Sequence, residues 1–176
     1  MSDFSKTKLQ FHLPKGMIYL DGNSLGPLPK KAQERIQHTL NKEWGEMLVT
    51  GWNKAGWMEQ PNKVGDRIAK LIGAGSETVT VGDTLSIKIF QALASATNYQ
   101  KKRKVLLTDS SNFPSDIYAA QGLVNMIQAD HELKIVDTDN LIENINENVA
   151  AVFFTEVDYK TGHRYDAKKI IKAAKK

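Results

Sequence analysis

Four short stretches of the 176-residue chain combine residue types that do chemistry. "GDTLSIK" sets Asp83, Thr84 and Ser86 at the start of a helical pattern. Free backbone N–H groups and the positive end of the helix dipole attract an anion there, and a phosphate would fit. The same residue types cap most helices, and spacing alone favours capping. "SSNFPSDIY" joins an aromatic, a proline and a carboxylate within Phe113, Pro114, Ser115 and Asp116. Phe113 offers a flat face for a heteroaromatic ring, while Asp116 lies at or near a helix start, where capping is again the commoner role. "GWNKAGW" holds two of the three tryptophans, Trp52 and Trp57, in a loop with Gly and Asn. They suit a pocket for an aromatic substrate and, equally, a packed core.

The fourth stretch, "YLDGNSLGPLPK" from Tyr19 to Lys30, concentrates Gly and Pro just after the apolar "MIYL". Locally it reads as a loop that needs positive φ at Gly and the fixed φ of Pro29 before a helix begins. Some chemistry is excluded. With no Cys there is no disulfide, thiolate metal site or thiol nucleophile, and His12, His38, His131 and His163 have no HxxxH-type spacing.

These stretches need elements to position them. "KKAQERIQHTLNKEWGEML" (30–48) puts Ile36, Leu40 and Trp44 on one helical face, and "EQPNKVGDRIAKLIGA" does so with Val64, Ile68, Leu71 and Ile72 before Gly73 and Gly75. "TVTVG" (78–82) predicts a strand, and Ile87, Phe90, Leu93 and Ala94 predict the helix after it. A strand ending at Thr108, a loop, and the helix "DIYAAQGLVNMIQA" repeat that unit. "LKIVD" predicts a third strand, "NLIENI" a short helix, "VAAVFFTEVD" a fourth strand and "DAKKIIKAAKK" a closing basic helix. Apolar strands alternating with helices predict a parallel sheet covered on both faces, an α/β three-layer architecture. Ligands bind such sheets at the carboxyl ends of the strands, which points to the turns after Val81, Leu107, Asp137 and Phe154.

Composition adds bounds. A chain that is 41% hydrophobic and 25% charged matches an ordinary globular protein. The chain has neither a membrane-length apolar run nor a secretory h-region, so no membrane partner and a cytoplasmic location are expected. The net charge of +4 comes from dispersed lysines, which suit a small anionic molecule and do not predict a nucleic-acid partner.

Taken together, "YLDGNSLGPLPK", "WNKAGW", "GDRIAKLIGA", "DTLSIKIF", "SSNFPSDIYAAQGL" and "YKTG" resemble the kynureninase family, in family order from residue 19 to about 162. The resemblance implies a pyridoxal 5'-phosphate (PLP) enzyme of fold type I with an incomplete, mostly parallel large-domain sheet. It implies hydrolysis of L-kynurenine or 3-hydroxykynurenine to anthranilate or 3-hydroxyanthranilate plus L-alanine, and a homodimer. It places residues 1–50 in an N-terminal loop and helix segment and 51–176 in a partial cofactor-binding domain. By position, Leu85 and Ser86 match the phosphate-binding pair, Phe113 the aromatic that stacks on the cofactor ring, and Pro114, Ser115 and Asp116 the rest of that cofactor segment. Thr155 matches a small hydroxyl residue at the cofactor edge, with Glu156 and Asp158 standing where the family commonly has His and Asn. Asn23 and Ser24 take a substrate-side role, as does Trp57.

PLP chemistry of this type also needs a Schiff-base lysine and a carboxylate against the pyridine nitrogen. By resemblance both fall beyond residue 176, and none of the lysines present, Lys175 and Lys176 included, has a matching context. The chain is therefore expected to be an N-terminal fragment that is inactive alone. Two other readings are a non-catalytic half-domain kept for interaction, and another fold type I enzyme such as a class V aminotransferase or cysteine desulfurase.

Overall fold

The computed structural model describes residues 4–127 and 130–175, so Lys176 and the end of the "DIYAAQGLVNMIQA" helix lie outside the described residues. The chain divides into two compact units, 1–81 and 82–176.

The first unit opens with α1 (Ser5–Lys8) and a small antiparallel ladder, β1 (Phe11–His12) on β2 (Leu28–Pro29). The ladder closes the base of the loop that carries Asn23 and Ser24. Pro29 stands at the N-cap with φ −70°, and α2 (Lys30–His38) starts directly after it. The helix predicted over 30–48 continues past His38 as a π-helical stretch, Thr39–Trp44. Its stripe of Ile36, Leu40 and Trp44 is exposed. The short α3 (Gly51–Lys54) leads to α4 (Gln60–Ile72). Gly73 ends α4 at φ +71°, in the left-handed conformation that glycine adopts without a Cβ clash, and its N–H returns to the Ala69 carbonyl. Gly65 serves a different need. A Cβ there would lie 1.8 Å from the Val79 carbonyl oxygen, so glycine lets the following chain run against α4.

That following chain corrects one expectation. Thr78 to Val81 is not a strand, and no strand among the described residues pairs with it. β-Branched residues favour extended backbone, but a strand also needs a partner for its N–H and C=O groups.

The second unit is the parallel sheet. α5 (Leu85–Tyr99) precedes β3 (Val105–Asp109), then come α6 (Pro114–Ile127), β4 (Glu132–Val136), β5 (Val149–Val152) and α7 (Ala167–Ala174). The sheet order is β4-β3-β5, all parallel, with a one-residue irregularity against β5 between Val105 and Leu106. β3 is buried along its whole length, as its apolar run requires. Leu106 packs with Leu93 of α5 and Ala120 and Leu123 of α6 on one face. Val105 and Leu107 pack with Leu141, Val149, Tyr165 and Ile170 of α7 on the other. The sheet is thus covered on both faces, as expected. The predicted "NLIENI" helix is only a 3-10 turn, Thr138–Asn140, followed by turns, and α6 begins at Pro114, two residues before Asp116.

Candidate functional site

In a parallel sheet all carboxyl ends lie on one edge, so the turns after β3, β4 and β5 gather there. α5 runs back to β3 through a short connection, and its N-terminus therefore lies toward the same edge. Leu85 and Ser86 form its first turn.

Among the described residues no side chain caps α5, and its first turn holds no acidic residue. Capping by Asp83, Thr84 or Ser86, the commoner role on spacing, is not made. The N-terminal amides of a 15-residue helix are thus left for an external acceptor, with the dipole favouring an anion. Leu85 and Ser86 are exposed. The ammonium of Lys88 sits by Gly82, where a Cβ would meet Nζ at 2.5 Å, and it donates to Gln91 at 3.0 Å.

The turn after β3 is built by side chains. Asn112 Nδ2 donates to the Thr108 hydroxyl at 2.9 Å, and Asn112 Oδ1 accepts from the Phe113 amide at 2.8 Å. Both Thr108 and Asn112 are buried, so this pins the approach to Phe113. The Phe113 ring is half-exposed and meets Tyr159 edge to face. Pro114 opens α6, where its missing N–H costs nothing. Asp116 lies in the first turn but is not a cap. Its carboxylate accepts from the Ser115 hydroxyl at 3.2 Å, and partial burial raises its pKa against the lowering effect of that bond.

The turn after β5 holds Thr155, whose hydroxyl donates to the Val157 carbonyl at 3.1 Å. Asp158 then accepts from the amides of Lys160 and Thr161, at 2.7 and 2.8 Å. The Thr161 amide is the main reason its pKa is lowered, against burial, with Lys160 and the hydroxyls of Thr161 and Ser111 adding.

The structure thus joins Phe113 to the "YKTG" turn through Tyr159, a residue the sequence offered only within a motif. It also reveals Asp109 and Tyr165, which no sequence reading singled out, in a 2.9 Å hydrogen bond across 56 residues. The one local signal was a carboxylate closing a strand that opens with the apolar run Val105 to Leu107.

In the first unit, Asn23 and Ser24 are exposed in the closed loop, where the Ser24 amide donates to the Asp21 carbonyl at 3.2 Å. The same loop lines an apolar hollow of about 480 Å³ with Met17, Tyr19, Leu25 and Leu28. Trp57 donates from Nε1 to Glu43 at 2.8 Å and meets Trp52 edge to face at 5.8 Å. Glu43 is buried and also accepts from Arg35 at 2.6 Å. The packing role that the sequence left open for Trp57 therefore has a definite form.

Comparison with known proteins adds to this geometry. The family profile described as Aminotransferase class-V matches residues 18–176. The chain is 44% identical over 162 residues to proteins named kynureninase from Burkholderia mallei (strain SAVP1), Burkholderia pseudomallei (strain 1106a) and Pseudomonas fluorescens. Each match covers 89% of this chain and 39% of the relative, so the chain spans well under half the length of these curated relatives.

Proposed function

This chain belongs to the aminotransferase class-V family, of fold type I and PLP-dependent, and from that premise we propose that it forms the N-terminal part of a kynureninase. The complete enzyme would hydrolyse L-kynurenine or 3-hydroxykynurenine to anthranilate or 3-hydroxyanthranilate and L-alanine. The observation that carries this reading is the 44% identity to kynureninases over 89% of the chain.

The residues present fit the cofactor. An uncapped helix start without an acidic side chain suits a phosphate dianion, and the half-exposed Phe113 ring suits a pyridine face. When bound, the cofactor supplies an electron sink for charge that develops on the substrate. The amides of Leu85 and Ser86, with the Ser86 hydroxyl, hold the phosphate. Phe113 stacks on the ring, Pro114 and Ser115 set the course of the chain, and Asp116 offers a carboxylate at the cofactor. Thr155 contributes at the cofactor edge. Asn23, Ser24 and Trp57 belong to the substrate side of the reading. A cytoplasmic homodimer completes it, and size-exclusion chromatography with light scattering tests the dimer.

A chimera tests the function. Residues 18–176 replace the matched segment of the Pseudomonas fluorescens relative, and anthranilate fluorescence and alanine release are measured with L-kynurenine and PLP. Activity within about tenfold of the parent is expected, the loss of one modest interaction. A folded, PLP-loaded chimera that releases no anthranilate, or that instead releases sulfur from cysteine, overturns the reading.

A further inference from the structure

Asp109 is the last residue of β3 and is fully buried. Its Oδ1 accepts from the Ser111 amide at 2.9 Å, the Tyr165 hydroxyl at 2.9 Å and the Thr138 hydroxyl at 3.3 Å. The three donors come from three different segments. Ser111 begins the turn to Phe113, Thr138 follows β4, and Tyr165 lies between β5 and α7. The Thr138 hydroxyl is also 3.2 Å from Ser111 Oγ, and its single proton serves one acceptor at a time. Ser111 in turn helps to hold the Asp158 carboxylate, which shapes the turn that carries Tyr159 against Phe113.

A carboxylate is a costly way to fill a buried position. Oδ2 of Asp109 is buried with no hydrogen-bond partner among the described residues, so half of its acceptor capacity is unused there. Maximal stability does not explain that choice. What the carboxylate achieves is geometric, since one oxygen gathers all three strand-end segments at the edge where Phe113 stands.

We infer that Asp109 is a positioning residue which, clasped by Tyr165 and Thr138, fixes the turn from Ser111 to Phe113 and the start of α6, and thereby the height and tilt of the Phe113 ring against the cofactor. The inference rests on the cofactor reading above and deepens it. It assigns the ring half of cofactor binding to a buried network and leaves the phosphate half to the start of α5.

That division supplies the test. Binding of PLP and of inorganic phosphate to the full 176-residue chain is followed by 31P NMR, and amide hydrogen exchange is read on the unliganded protein. In the parent chain PLP should bind more tightly than inorganic phosphate. In Tyr165→Phe and Asp109→Ala, phosphate affinity should be unchanged while PLP affinity falls by about tenfold or more, the effect of losing at least one buried hydrogen bond. Exchange at Asn112 to Asp116 should quicken with α5 unaffected, and Thr138→Ser, which keeps the hydroxyl, should behave as the parent. If Asp109→Ala does not fold, Tyr165→Phe carries the test. A parallel fall in both affinities, or unchanged exchange in the turn, overturns the positioning role. If the parent binds PLP no better than phosphate, the cofactor reading fails and the positioning role with it; quickened exchange would then mark a clasp that is structural alone.

Discussion

The Tyr159 and Phe113 rings meet edge to face with centroids 4.8 Å apart and an interplanar angle of 63°. Phe113 remains 46% exposed, and the Lys160 ammonium stands 5.4 Å from the Tyr159 ring centroid. The pair therefore braces the turn after β3 against the turn after β5 without hiding the Phe113 ring.

Tyr159→Ala removes that brace. An aromatic pair of this geometry is worth about 0.5–1.5 kcal/mol, and exposure places this one at the lower end. Urea unfolding should show a loss of about 0.5 kcal/mol, and PLP affinity should fall while phosphate affinity holds.

Ser86→Glu should separate stability from binding. An acidic side chain in the uncapped first turn of α5 stabilises by about 0.3–1 kcal/mol through the helix dipole and the free amides. The same charge repels a phosphate from that place. The expected result is a raised thermal midpoint with phosphate and PLP binding lost in 31P NMR.

Leu106→Ala should cost about 2–5 kcal/mol in urea unfolding, because a fully buried side chain between α5, α6 and the sheet leaves a cavity. Leu85→Ala, at a residue 67% exposed, should change stability by less than about 0.5 kcal/mol. Equal effects at the two positions would contradict the packing described.

Acid should release Trp57. The hydrogen bond from Arg35, then that from Trp57, lowers the Glu43 pKa in the fold. Ionised Glu43 thus favours the folded state, and its contribution is whole above the ordinary glutamate value of about 4.3 and lost as pH falls through the folded value. Tryptophan fluorescence should show a step below about pH 4.3, and Glu43→Gln should abolish it.

Asp116 has the opposite sign. Burial raises its pKa, so the ionised form is disfavoured in the fold relative to the unfolded chain. The penalty is present above the folded value and vanishes once both states are protonated. Asp116→Asn should therefore raise the urea midpoint at neutral pH and leave it unchanged at about pH 3, while weakening PLP binding.

Much of the fold was legible because its signals are local. The helical period of Ile87, Phe90 and Leu93 sits on α5, the apolar run Val105 to Leu107 became the central strand, and Gly73 ended α4 in the conformation that the lack of a Cβ permits. Thr78 to Val81 misled for a physical reason: propensity acts within a segment, whereas strand pairing needs a neighbour. The start of α5 misled differently. Residues that commonly cap were present, yet none turned its side chain to the free amides.

By itself the sequence determined the alternation of strands and helices, the motifs in the turns and the family they resemble, since periodicity and residue type need no knowledge of distant chain. Only the tertiary structure decided that Phe113 meets Tyr159, that Trp57 gives its indole N–H to Glu43, and that Asp109 gathers Ser111, Thr138 and Tyr165. Such meetings depend on sheet order, on strand register and on where each crossover returns the chain, and a single hydrogen bond across 56 residues leaves no periodic trace in the residues between.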